Sequence, residues 1–284
     1  MTLGTVQGLR RFPIKSMAGE TLDSALLSRR GIPGDRGWAV FDETRGGVTN
    51  AKWIPLLRAC RARYTHAPGA DAEPPPVEIA LPDGNVLHSG DSDTVRLLGE
   101  FLGRPVSLRS LGPPGAEEAP RVTSQGVSPE AIRELMGLVP GEPMADMSEF
   151  TPERMRAMRD GNFFDAFPLH LLTDVTLRTL AGIAPASAWD ERRFRPNLLV
   201  GSTASSGYPE FEWIGRRIQI GAAVVEIATA CPRCVMATQA ADELPKDPQV
   251  MRTLVKATRH RAGVYAQVVE PGEVHVGDEL QLIN

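Results

Sequence analysis

Cys231-Pro232-Arg233-Cys234 is the segment whose residue types and spacing come closest to dictating a chemistry. Four readings compete for it. A structural zinc site needs about four ligands. The chain has no second Cys pair, and its five histidines, His66, His88, His170, His260 and His275, lack ligand spacing. A thioredoxin-like dithiol uses the same spacing, but that motif lies early, between a first strand and its helix. Here it comes late, in a strand-rich region. Two inert core cysteines are the plainest reading, because free Cys is often buried. Arg233 works against it, since a neighbouring cation favours thiolate. The fourth reading is one soft thiolate ligating a cofactor that brings most of its own ligands.

A cofactor carrying phosphate would also need Arg, Lys or backbone N–H groups. Three basic clusters in turn-like contexts offer them: Pro13-Ile14-Lys15-Ser16, Gly34-Asp35-Arg36-Gly37 and Phe194-Arg195-Pro196-Asn197. Each alone reads as a solvated turn; their combination with the Cys pair gives them weight. Cys60, within Leu56-Leu57-Arg58-Ala59-Cys60, reads as a structural core thiol.

The elements that must position these residues are mostly strands. Thr5–Arg10, Trp38–Phe41, Val77–Leu81 and Val86-Leu87 are short strand patterns, with Asp83-Gly84 turning one into the next. Val95, Leu98 and Phe101 share a helical face that Gly103 ends. Residues 112–126, rich in Pro, Gly and Glu, read as a linker or long loop. Ser128-Pro129-Glu130, Thr151-Pro152-Glu153 and Asp247-Pro248-Gln249 each put a capping oxygen before a first-turn proline, and Thr173–Leu180 reads as a further helix. Strands return at Arg217–Ile220, Val224–Ile227, Tyr265–Val269 and Glu279–Leu282. The expected class is a mixed, β-rich α+β fold without doubly wound alternation.

The composition is that of an ordinary soluble globular chain of 284 residues, 42% hydrophobic and 23% charged. The net charge of -4 argues against nucleic acid and anionic membranes as partners. No stretch of about 18 apolar residues predicts a membrane helix, and no targeting segment is visible. Three Cys suit a reducing compartment, so a cytoplasmic location is expected.

The order and spacing of these motifs resemble the MOSC superfamily across nearly the whole chain. Phe12-Pro13-Ile14-Lys15-Ser16 and Gly31-Ile32-Pro33-Gly34-Asp35-Arg36 look like its N-terminal β-barrel domain; Arg193–Asn197 and Cys231–Cys234 look like the MOSC domain itself. The resemblance implies an N-terminal β-barrel-like domain over 1–110, a linker over 111–127, and a MOSC β-barrel with peripheral helices over 128–284. It implies a molybdenum cofactor of the molybdopterin type, with Cys234 as metal ligand and Cys231 without a role. Lys15, Ser16, Arg36, Arg195 and Asn197 are expected to hold the cofactor, with Arg233 between the cysteines and Thr173 nearby. Asp165 falls where relatives place an acidic residue and could orient an arginine or handle a proton. Ala166 and Phe167 replace two hydroxyl residues that would follow it, leaving a more apolar wall.

The activity so implied is reduction of N-hydroxylated small molecules, as in the amidoxime reducing component. The alternative, after the sulfurase-type relatives, is a protein that carries the cofactor or a persulfide without turnover. Three Cys cannot provide the four thiolates of a plant-type iron–sulfur cluster, and no strand-linked G-x-G-x-x-G binds a dinucleotide. Electrons are therefore expected from a separate flavin- or haem-containing protein. Pyridoxal phosphate is suggested for the superfamily at large, but none of Lys15, Lys52, Lys246 and Lys256 sits in a Schiff-base context.

Overall fold

The computed structural model describes residues 1–70, 72–112, 119–122, 126–151, 163–164 and 166–283. Strand β1 (Thr2–Arg11) opens the chain, followed by β2 (Glu20–Leu22) and β3 (Ser24–Leu27). Next come β4 (Trp38–Asp42), β5 (Gly47–Val48), β6 (Arg61–Tyr64), β7 (Val77–Ala80), β8 (Val86–His88), helix α1 (Thr94–Leu102) and β9 (Val106–Ser110). Helix α2 (Pro129–Leu135) precedes β10 (Leu169–Thr173), α3 (Asp174–Ile183), β11 (Leu198–Ser202), β12 (Arg217–Ile220) and β13 (Ala223–Pro232). Helix α4 (Gln249–Thr258), β14 (Arg261–Glu270), β15 (Gly272–His275) and β16 (Glu279–Ile283) complete the order.

Seven strands close into a barrel in the order β11-β10-β14-β13-β12-β16-β1, with β1 pairing back to β11. Every pairing in the ring is antiparallel except β10 with β11. Closure removes the unpaired edges that an open sheet must protect. Alternate residues of its strands, including Val6, Leu171, Leu198, Ile218, Ile227 and Val264, fill the interior. Helices α3 and α4 cover the outside through Leu172, Leu180, Phe194, Met251 and Leu254.

The barrel's first stave is the chain's first strand. The later barrel therefore includes residues from the segment expected to form a separate N-terminal unit, and β3 pairs with β15 in the same way. The N-terminal core lies between two three-stranded antiparallel sheets, β5-β4-β9 and β6-β7-β8, packed around Ile14, Met17, Leu57, Ile79 and Leu98. Residues 12–18 cross from one core to the other. They are tied down by Lys15 N–H to Trp38 O at 2.9 Å and Ala18 N–H to Cys60 O at 2.9 Å.

Some local expectations shift. In α1 the buried residues are Thr94, Leu98 and Leu102, while Val95 is exposed; Gly103 ends the helix at φ 70° as expected. The Thr94 hydroxyl donates to His88 O, which fixes the helix one position around from the expected face. Within the segment read as a linker or long loop, residues 119–122 pair with β5: Val48 N–H reaches Pro120 O at 2.7 Å and Val122 N–H reaches Val48 O at 2.9 Å. Ser128 and Thr173 cap their helices through their hydroxyls, each worth about 1 kcal/mol. The helix start at Thr151-Pro152-Glu153 lies outside the described residues. No described helix is long and apolar enough to cross a membrane.

At the β10–α3 junction, Thr173 and Thr176 hydroxyls both donate to the buried Glu210 carboxylate at 2.7–2.8 Å. Burial raises the Glu210 carboxyl above the ordinary glutamate range against the pull of these hydroxyls. The folded protein thus holds this proton more tightly than the unfolded chain. Its contribution to stability is greatest below about pH 4.3, the ordinary glutamate value. It is lost as pH rises through the raised folded value. Denaturant unfolding at stepped pH should show Glu210→Gln with a flatter profile than wild type across that window; parallel curves would assign the titration elsewhere.

Candidate functional site

Strand β13 carries the Cys pair out of the barrel. Cys231, near its end, is fully buried; Cys234 follows it, partly exposed, ahead of the 3-10 turn Val235–Thr238. Both are free thiols. Arg233 folds back between them. Its Nη1 donates to Cys231 Sγ at 2.9 Å, its Nη2 to Phe194 O at 2.6 Å, and its N–H to His260 O at 2.7 Å. Burial pushes the Cys231 thiol up, while Arg233 and a hydrogen bond with Tyr265 pull the other way. Cys60 has no such counterweight, and burial pushes it up to about 12.

Two cavities meet at Cys234, with Lys15, Pro232 and Tyr265 also common to both walls. The smaller, about 110 Å³, is lined by Lys15, Ser16, Arg36, Arg193, Arg195 and Arg233 as well as Cys234. Among the described residues no carboxylate lines it. The larger, about 410 Å³, has a mainly apolar lining that includes Trp53, Met136, Met147, Phe150 and Tyr265, with Lys52 and Arg121 also in its wall.

Three residues of the small cavity's wall are held at a conformational cost. Ser16, Arg36 and Arg195 adopt φ of 73°, 51° and 57°, a region that side chains rarely enter. Such residues cost of order 1–3 kcal/mol each and cluster at functional sites. Surrounding contacts enforce them. Ser16 Oγ accepts from Ala51 N–H at 3.0 Å, Arg36 N–H reaches Phe12 O at 2.7 Å, and Arg195 N–H reaches Glu191 O at 2.8 Å. The Arg36 and Arg195 guanidiniums both lie over the Phe12 ring, at 4.4 and 4.1 Å, and Arg36 also faces Phe164 at 4.4 Å. Arg195 donates to Met17 O, and Lys15 Nζ to Phe163 O at 2.8 Å.

The remaining expected residues divide. Asn197 is buried behind the cavity. Its Nδ2 donates to Asp35 Oδ2 at 2.8 Å and to Arg10 O at 3.2 Å, and its Oδ1 accepts from His170 N–H at 3.2 Å. Asp35 in turn receives Arg36, so Asn197 acts by fixing the carboxylate that orients that guanidinium. Thr173 lines neither cavity; its hydroxyl serves Glu210 and the α3 cap. Asp165 lies outside the described residues.

The structure adds residues that the sequence reading passed over. Arg193, the first residue of Arg193-Phe194-Arg195-Pro196-Asn197, donates to Ala188 O at 2.8 Å, Gln239 O at 3.3 Å and Pro245 O at 2.9 Å. It thereby clamps the segment after the Cys pair. His170 lines the small cavity; burial and the Arg233 charge hold its imidazole well below the usual range, so it stays neutral. Gly263 makes room for it: at φ 74°, a Cβ there would fall 2.4 Å from His170 Nε2. Tyr265 is set opposite His170 by the β10–β14 register. Only the pairing of distant strands reveals these roles.

The donor set fits an anionic, metal-bearing cofactor. A thiol stands at the boundary of a cavity with five cationic residues in its lining. Arg233 Nε is buried and has no hydrogen-bond partner among the described residues.

Residues 3–88 match the model of the MOSC N-terminal beta barrel domain, and residues 159–281 that of the MOSC domain. The chain is 26% identical to mitochondrial amidoxime reducing component 2 of Homo sapiens over 97% of its own length and 82% of that protein's. The Bos taurus protein of the same name matches at 26% identity with the same coverage. The solved YUAD protein of Bacillus subtilis superposes over 99% of this chain and 94% of its own, with a TM-score of 0.43 and 13% identity.

The burial pattern predicts thiol reactivity. Brief treatment of the native protein with iodoacetamide at neutral pH should alkylate Cys234 and spare Cys231 and Cys60, as read by peptide mass spectrometry. Equal labelling of Cys60 would contradict the packing described.

Proposed function

We propose, for a chain that belongs to the MOSC superfamily, that it is a molybdenum-cofactor-binding oxidoreductase that reduces N-hydroxylated small molecules. The observation that carries this reading is the position of Cys234, between a cationic cavity and a larger, mainly apolar one. A thiolate is a soft ligand suited to a thiophilic metal. The names of the human and bovine relatives support the direction of the reaction.

In this reading Lys15, Ser16, Arg36, Arg195 and Arg233 hold the cofactor's anionic and polar groups in the small cavity, and Cys234 is the metal ligand. When bound, the cofactor supplies the two-electron redox chemistry. The protein's own tasks are charge neutralisation, orientation and exclusion of water. Asn197 and Asp35 keep Arg36 aimed, and Arg193 keeps the Cys234 segment from drifting. Tyr265, shared by both cavity walls, would offer a hydroxyl proton where the two cavities meet. Reduction of a hydroxylamine breaks its N–O bond, takes up two electrons and two protons, and releases an amine and water. A separate flavin- or haem-containing protein supplies the electrons. A cavity large enough for a small organic substrate favours turnover over mere carriage of the cofactor.

Protein produced in a host that makes molybdenum cofactor should contain close to one molybdenum per chain and reduce hydroxylamines with a chemical electron donor. Cys234→Ser should lose the metal or the activity. Cys231→Ser should keep most of both, because that sulfur faces Arg233 and Tyr265. Retention of metal and full turnover in Cys234→Ser would overturn the assignment.

A further inference from the structure

Lys52, Trp53 and Leu135 belong to two linings: that of the larger cavity at Cys234 and that of a neighbouring groove of about 510 Å³. The cofactor needs no part of this groove. Three elements each give it an apolar stripe. The 3-10 turn Pro55–Ala59 buries Leu57 and Arg58. Residues three apart share a face in such a turn, so Leu56 and Ala59 lie together on the other side, exposed, Leu56 at 46%. Helix α2 brings Ala131 and Leu135, four apart on one face, and has no fully buried residue of its own. Val235 opens the turn that follows Cys234, so the groove touches the residue bonded to the proposed metal ligand.

Trp53 is the aromatic residue common to both. Its N–H reaches Asn50 O at 3.0 Å, and the Arg45 guanidinium covers its ring at 4.1 Å. The exposed Lys246 and Glu134 bring charges of both signs to the groove, so its distinguishing character is apolar. Contiguous exposed apolar surface marks an interaction site, and each of the two volumes falls in the range of small-molecule sites. Continuity with the cavity at Cys234 selects the occupant: one molecule whose reactive end reaches Cys234 can lay its other end in the groove.

We infer that the groove is a subsite for the apolar tail of the substrate. The ligand is an N-hydroxylated compound carrying a hydrocarbon chain. Its N–O group lies toward Cys234, its chain crosses Trp53, and the end of the chain packs on Leu56, Ala59 and Ala131. The reducible group in this assignment rests on the reductase reading; the tail subsite rests on the groove and its shared wall alone.

The two are tested separately. In the first arm, the holoprotein is titrated with 4-methylaniline, 4-butylaniline and 4-hexylaniline, with binding followed by calorimetry and Trp fluorescence. A fully buried methylene gives up to about fourfold in affinity. At about twofold each, for a groove open on one side, the added methylenes should make 4-hexylaniline bind at least about thirtyfold tighter than 4-methylaniline, with 4-butylaniline between. Leu56→Asp should cut that ratio to about fivefold or less by placing a charge where the chain ends. Ala59→Glu should do the same, and carries the comparison should Leu56→Asp fail to fold. Equal binding along the series, or a ratio that both variants leave at the wild-type value, would overturn the proposal, whether the groove then receives another protein or stays bare. In the second arm, N-(4-methylphenyl)hydroxylamine and N-(4-hexylphenyl)hydroxylamine are compared as substrates with a chemical electron donor. A KM at least about tenfold lower for the hexyl compound, at similar kcat, is expected, and Leu56→Asp should close the gap. Length-dependent binding with no reduction of either compound would sink the reductase reading and leave the tail subsite standing.

Discussion

Much of this structure follows from one electrostatic constraint: several buried cations must be held close together around a single cavity. Arg36 and Arg195 share the Phe12 ring and so stand within about 8.5 Å of each other. At an effective dielectric of about 20, two unit charges at that separation repel by about 2 kcal/mol. Lys15 and Arg233 add to this. The described contacts answer the repulsion with backbone carbonyls of Met17, Phe163 and Phe194, with aromatic faces, and with the Asp35 carboxylate. A bound anion would relieve it further. Such a site is stable enough to fold and is poised to take a negatively charged group.

The constraint explains why the site sits at a seam. No single strand or helix could present Lys15, Arg36, Arg195 and Arg233 on one surface, since the first and last lie more than two hundred positions apart. The crossing segment at residues 12–18 leaves the barrel through Phe12 and enters the N-terminal core through Ile14 and Met17, both fully buried. Its polar residues are thereby trapped between two packed bodies. The barrel supplies the other half, because antiparallel closure by β1 sets that segment beside the start of β11. Rigid cores on both sides also sustain the positive φ values that an isolated loop would relax.

The same seam gives the two cysteines different fates. Cys231 ends in the packed barrel, where Arg233 and Tyr265 occupy its sulfur. Cys234 lies past the barrel, in the wall of two cavities. One is small and strongly cationic, and the other is larger and mainly apolar with a few cations in its lining.

Much of the frame was legible in the residues. Alternating patterns such as Arg217–Ile220 and Val224–Ile227 mark half-buried strands, and Ser128-Pro129 marks a helix start, because these are local effects of side-chain period and capping. The C-x-x-C spacing and the three basic turns named Lys15, Ser16, Arg36, Arg195, Arg233 and Cys234, and all six line one cavity. The C-x-x-C spacing alone did not separate the two sulfurs; the family resemblance pointed to Cys234, and strand pairing and burial set Cys234 in the cavity wall and Cys231 in the core. Nor could the sequence separate contact from support. Asn197 belongs to a quoted motif yet works through Asp35, and Thr173 serves a buried glutamate thirty-seven positions away. His170 and Tyr265 carry no local signal and meet only because β10 and β14 pair in register. Sequence determined residue types and local periods; barrel closure decided which distant side chains share space, because long-range packing is set by the whole chain at once.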